Sequence, residues 1–191
     1  EPRVVAIIDI QTLNPFAAME VYNESYLRLC YDTLAKRDKD TKIIPWAAEY
    51  WHVVDNTTGD VVLREGMNFH DGKPVTIEDV KFTFEYIKKW KFPGLSQVWN
   101  NLESVKIVDG RKIRLKLFKP LAPFEASILM HTFIAPKNIW EKIPESAGVA
   151  QPMDWANPNP IGSGPYQFVE WKKGEYFHLK SNTKHWMAPN F

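Results

Sequence analysis

The stretch from Leu63 to Trp90, LREGMNFHDGKPVTIEDVKFTFEYIKKW, leaves its backbone few choices. Asp71-Gly72 is a turn dipeptide, and Pro74 behind it cannot donate to a strand ladder. Thr76 with Asp79 has the spacing of a capping pair, so a helix opens there. Ile77, Val80, Phe84 and Ile87 then recur at helical intervals on one face. The segment therefore predicts a strand end, a tight turn and an amphipathic helix in immediate succession. Glu78 and Asp79 fall in the first helical turn, where they complement the helix dipole without any catalytic role.

A chain of 191 residues with 45% hydrophobic and 25% charged residues can build one or two ordinary globular domains. At this size roughly 70% of the unfolded surface can be buried. The formal net charge of +1 gives no global field for nucleic acid or an anionic membrane. The aromatic share of 14% is high, and such residues either thicken a core or line a recognition surface. The single cysteine, Cys30, excludes an internal disulfide and a cysteine zinc site. Tyr26, Leu27, Leu29 and Leu34 around it predict a buried structural thiol. No stretch reaches the roughly 18 apolar residues of a membrane span. No signal peptide is present, and the opening Glu1-Pro2 runs at once into the apolar residues Val4–Ile8, as a processed chain would.

Along the chain, Val4–Ile10 reads as a buried strand ended by Asn14-Pro15. Val21–Leu34 reads as a helix with Tyr22, Tyr26, Leu29 and Cys30 near one face. Lys36–Asp40 reads as a solvated charged loop, and Ile43–Val54 is rich in tryptophan. NTTGD, Asn56–Asp60, predicts a turn into a strand Val61–Arg64. Ser104–Phe118 predicts a hairpin with a type I′ turn at Asp109-Gly110. Its second strand alternates Ile113, Leu115 and Leu117 with Lys112, Arg114 and Lys116, the period of a half-buried strand. Pro120–Met130 and Pro136–Ile143 suit short helices. Glu145–Pro160 reads as a long loop, and Gly164–Val169 with Tyr176–Lys180 as a strand pair joined by Lys172-Lys173-Gly174.

Signatures of catalysis are missing: no GxSxG, no phosphate-binding glycine loop and no HExxH. None of the five histidines has metal-ligand spacing to another histidine or cysteine. His70, within FHDGKP, predicts hydrogen bonding to backbone. Ile161–Trp171, IGSGPYQFVEW, holds a Gly-x-Gly, but Pro165 removes a donor that a phosphate cradle needs. No catalytic residue, metal site or cofactor is therefore expected.

The FHDGKP turn-and-helix block and the IGSGPY block, in that order, resemble two hallmarks of the extracellular solute-binding proteins of dipeptide, oligopeptide and nickel ABC importers (family 5). The resemblance spans nearly the whole chain, thinly outside the two blocks. The stretch before LREG is shorter than the common pattern. The implied fold is α/β, a mixed sheet with helices, of the type II periplasmic-binding-protein kind. It implies that residues 1–191 are the N-terminal part of a two-lobed receptor, lobe one with its extra subdomain, ending near the crossover to a lobe two that is largely absent. The IGSGPY block would be a structural turn near that crossover.

The implied function is capture of a small solute and its delivery to an ABC permease, not catalysis. The protein would be a monomer with no nucleic-acid partner. It would work in the periplasm or at the cell surface, secreted with or without a lipid anchor. A peptide is the implied ligand. An oligosaccharide is the alternative within the same mechanism, and nickel or a metal chelate stands third. The lobe-two residues that clamp a ligand in relatives are absent, which leaves the ligand class open. A hydrolase and a partner-binding module are the readings from other classes. The resemblance points to three ligand contacts: Asn14, Phe16 and Ala17 in the loop after the opening strand; Trp99, with Gln97, after the hallmark helix; and His131 before the IAP segment.

Overall fold

Thr76 begins the best-defined element. Its hydroxyl accepts from the Asp79 amide, and Asp79 Oδ2 accepts from the Thr76 amide at 2.9 Å, a complete capping box. The helix that follows ends at Lys91, which takes a left-handed backbone with φ 50°. These features come from a computed structural model of the chain, which describes residues 10–18 and 21–188. Apart from Ile10, which is buried, the strand expected over Val4–Ile10 lies outside the described residues.

In chain order the elements are α1 (Val21–Cys30), β1 (Ala35–Arg37), β2 (Ile43–Pro45), β3 (Ala48–Asp55), β4 (Thr58–Leu63) and α2 (Ile77–Trp90). Then come α3 (Ser96–Trp99), β5 (Leu102–Asp109), β6 (Lys112–Leu117), α4 (Lys137–Trp140), β7 (Tyr166–Lys172) and β8 (Tyr176–Ser181). Among the described residues the strands form a four-stranded sheet in the order β3-β4-β6-β5 and two hairpins, β1-β2 and β7-β8. Each of these ladders is antiparallel.

The alternation in β6 sorts its side chains as expected. Ile113, Leu115 and Leu117 are buried, and they join Val80, Phe84 and Ile87 of α2 in one core. Arg114 on the opposite face pairs with Asp60 through Nε at 2.7 Å and Nη2 at 2.8 Å. Much of the aromatic content enters this core. Phe16 stacks on Phe92 at 4.8 Å and meets Trp140 edge-on at 4.7 Å. Tyr86 lies 5.2 Å from Phe16 and donates its hydroxyl to the Ile143 carbonyl at 2.9 Å. Cys30 is buried, and desolvation pushes its thiol up to about 12, which suits an inert packing residue.

Several local expectations give way to longer-range contacts. The first helix stops at Cys30 rather than Leu34, because the Cys30 carbonyl accepts from the Gly164 amide at 2.9 Å. Lys36 and Arg37 belong to a short strand, since Ile43–Pro45 pairs with it; only the Asp38–Lys42 tip is a turn. β4 begins at Thr58, earlier than expected, where it meets Lys116. The β5-β6 hairpin forms without a type I′ turn: no residue from 109 to 111 takes a left-handed backbone. Instead Asp109 Oδ1 accepts from the Arg111 amide at 3.0 Å and closes the turn through its side chain. Within Pro120–Met130 there is one wide helical turn, Glu125–Leu129.

The two distinctive sequence blocks meet in space. The His70 amide donates to the Gly162 carbonyl at 2.8 Å, and the Gly162 amide points at His70 Nδ1 at 3.3 Å. His70 Nε2 lies 3.0 Å from the Gly164 carbonyl. One ring nitrogen accepts and the other donates, so the geometry selects a neutral imidazole. Desolvation lowers the His70 pKa, in agreement. Gly162 and Gly164 press directly on the backbone at the end of α1, where any Cβ would collide.

Candidate functional site

Beside this docking the end of α1, the β1-β2 hairpin and the β7 strand come together, and a cavity of about 650 Å³ opens between them. From α1 come Glu24, Ser25 and Arg28; beyond its end come Tyr31 and Thr33. Lys36 and Arg37 arrive on β1, with Trp46 just past β2. Met130 and His131 close another side, Pro165 and Tyr166 a third, and Met187 completes the wall.

The polar groups of the wall are cross-linked. Arg28 reaches Glu24 one helical turn away, donates to the Met130 carbonyl at 2.8 Å and lies 3.3 Å from Thr33 Oγ1. His131 Nδ1 lies 3.4 Å from Glu24 Oε1. The His131 hydrogen bond, with Arg28 beside it, outweighs desolvation and holds the Glu24 carboxyl at about 2. Glu24 is thus ionised at any physiological pH. Trp46 is fixed from below: its Nε1 donates to the buried Asp32 carboxylate at 2.7 Å. His185 Nε2 meets the same oxygen at 3.3 Å, and Trp186 meets the Trp46 ring edge-on at 4.8 Å. The Lys36 ammonium rests over the Trp46 ring, 3.1 Å from its centroid.

Of the six residues singled out in the sequence, His131 lines this cavity and the other five lie elsewhere. Asn14 is buried, and its side chain is engaged internally: Nδ2 donates to the Pro152 and Trp155 carbonyls at 2.8 Å, and Oδ1 accepts from the Phe16 amide. Phe16 sits in the aromatic core, and Ala17 is half-buried beside it. Trp99 is half-buried on α3 and donates Nε1 to the Phe92 carbonyl at 2.9 Å. Gln97 is exposed on the same short helix. Conversely, Lys36 and Arg37 read as solvated loop and Trp46 as packing. No local signal marks them, because their neighbours in the cavity come from distant parts of the chain.

The walls offer side-chain hydrogen bonds, charges of both signs and aromatic surface. Among the described residues no group of three or more histidine, cysteine or carboxylate side chains is placed to hold a metal ion. No helix among them is long and apolar enough to cross a membrane. Residues 42–191 match the family described as bacterial extracellular solute-binding proteins, family 5 Middle. The chain belongs to that family.

Its similarity to individual members agrees. The chain is 31% identical over 156 residues to the oligopeptide-binding protein AppA of Bacillus subtilis (strain 168), covering 81% of this chain and 28% of AppA. It is 26% identical over 195 residues to the glutathione-binding protein GsiB of Salmonella typhimurium, covering 96% of this chain and 35% of GsiB. The structure of B. subtilis AppA in complex with a nonapeptide superposes with a TM-score of 0.83 at 28% identity, over 94% of this chain and 36% of AppA. The periplasmic oligopeptide-binding protein of Thermotoga maritima, bound to mannohexaose, superposes with a TM-score of 0.78 at 32% identity, over 94% of this chain and 32% of that one. The fold is therefore the mixed α/β fold of periplasmic binding proteins. The chain spans roughly a third of the length of these relatives.

Proposed function

We propose that residues 1–191 supply lobe one, with its extra subdomain, of a receptor that captures peptides outside the cytoplasmic membrane and delivers them to an ABC permease. The receptor works as a monomer in the periplasm or at the cell surface. The observation that carries this reading is the family match over residues 42–191. The cavity between α1, β1 and Tyr166 is the lobe-one half of the ligand site. Ligand lying there is bridged by lobe two, and the closed form is stabilised by contacts that the open form lacks. His131 enters this site by its place in the wall. Trp99, Gln97 and the Asn14–Ala17 loop are assigned ligand contacts by the family resemblance alone.

An oligosaccharide is the second reading, favoured by the mannohexaose-bound relative and by the rings of Trp46 and Tyr166 in the wall, which suit sugar faces.

The cavity assignment is tested by filling it. Ser25 is exposed on α1 and lines the cavity. Ser25→Trp in the complete receptor lowers peptide affinity at least tenfold by calorimetry, with the thermal midpoint unchanged. Wild-type affinity in that variant would remove the cavity from the site.

A further inference from the structure

We propose that Lys36 receives a carboxylate of the ligand, so that the receptor prefers ligands with a free acid group to their neutral counterparts. This rests on the peptide-capture reading above.

Three basic side chains, Arg28, Lys36 and Arg37, line the cavity against one carboxylate, Glu24. Glu24 is already engaged by Arg28 and His131, so it offers Lys36 nothing. Arg28 is the cation that Glu24 balances, and Arg37 turns Nη1 to the Thr41 carbonyl at 2.9 Å. Among the described residues, no carboxylate lies within ion-pair distance of Lys36. The Asp32 carboxylate acts on it only from a distance, and is itself bonded to the Trp46 indole.

Lys36 is also held in place. Trp46 cannot swing away, since Asp32 takes its Nε1 and Trp186 braces its ring. The ammonium therefore sits on a fixed aromatic platform at the cavity wall. Burial lowers its pKa, which marks it as partly stripped of water. A partly desolvated, unpaired ammonium gains more from an incoming carboxylate than a solvated surface lysine does, because less water must be displaced. A neutral ligand leaves it unpaired.

The test uses the complete receptor and a randomised tripeptide library made twice, as free acids and as C-terminal amides. Equilibrium dialysis with mass-spectrometric readout reports retention. Wild type retains the acids at least tenfold more strongly than the amides. Lys36→Met, which keeps the apolar stem on Trp46, reduces acid retention to the amide level and leaves the amides unchanged; Lys36→Arg keeps the preference. Equal retention of acids and amides by wild type overturns the carboxylate site while peptide capture stands. A preference that survives Lys36→Met overturns the assignment to Lys36. Retention of neither library, with mannohexaose bound instead, overturns the peptide reading and this inference together.

Discussion

Replacing Gly162 with alanine places a methyl carbon 2.0 Å from the Cys30 carbonyl oxygen and 2.9 Å from the Tyr31 ring. Ordinary contact begins near 3.4 Å, so the segment carrying Gly162 or the end of α1 must retreat by about 1.4 Å. The obstacle is backbone, which no rotamer change can clear. Retreat by that distance breaks the Gly164 amide to Cys30 carbonyl bond, the His70 amide to Gly162 carbonyl bond and both His70 ring contacts. Four hydrogen bonds at about 1 kcal/mol each give about 4 kcal/mol, and partial relaxation brings the expected loss to about 3 kcal/mol. Gly110→Ala is the control: its Cβ meets nothing within 4 Å and its backbone is not left-handed, so it changes stability by less than about 1 kcal/mol. Urea unfolding of the complete receptor, followed by tryptophan fluorescence and circular dichroism, measures both. If Gly162→Ala unfolds within about 1 kcal/mol of Gly110→Ala, the docking of the two blocks is not what holds this fold together.

Further outcomes follow from the same geometry. His70 is neutral in the fold and its pKa lies below the ordinary 6.5, so the unfolded chain binds more protons as pH falls through that value; stability is full above about 6.5 and declines on acidification toward the lower folded value. His70→Gln flattens that slope in urea titrations at successive pH values, and an unchanged slope would assign it to another group. Thr76→Ala loses the N-cap of α2 and costs about 1 kcal/mol by urea unfolding. Asp79→Ala costs more, about 3 kcal/mol, because Asp79 also accepts from the Lys137 amide at 2.9 Å and ties α2 to α4; equal losses would show that this tie contributes nothing.

Features decided within a few residues were legible in the sequence. The Asp71-Gly72 turn, the Thr76–Asp79 cap and the Ile77–Ile87 face all rest on contacts closer than one or two helical turns. The β6 alternation likewise declared its buried face. Features decided by distant partners were not. Nothing in Val21–Leu34 announces that a glycine 134 residues beyond Cys30 ends the helix there. Nothing in Lys36–Asp40 announces the strand that Ile43–Pro45 induces. The hairpin at Asp109 was legible in its alternation, while its turn was set by a side-chain bond that the Asp-Gly pair alone does not specify. The cavity lay furthest from view. Its walls come from residues 24–37, 46, 130–131, 165–166 and 187, and only long-range contacts such as Gly164 to Cys30, Arg28 to Met130 and Trp46 to Leu34 make them neighbours.

Whether the proposed receptor captures peptides in this cavity is decided by native mass spectrometry of the complete receptor, purified from its own cells without added ligand. Adducts with peptide masses are expected that dissociate on denaturation and are absent from Ser25→Trp. A ladder of adducts spaced by one hexose, retained in wild type and lost in Ser25→Trp, would contradict the peptide assignment while leaving the cavity in place; peptide adducts undiminished in Ser25→Trp would contradict the cavity itself.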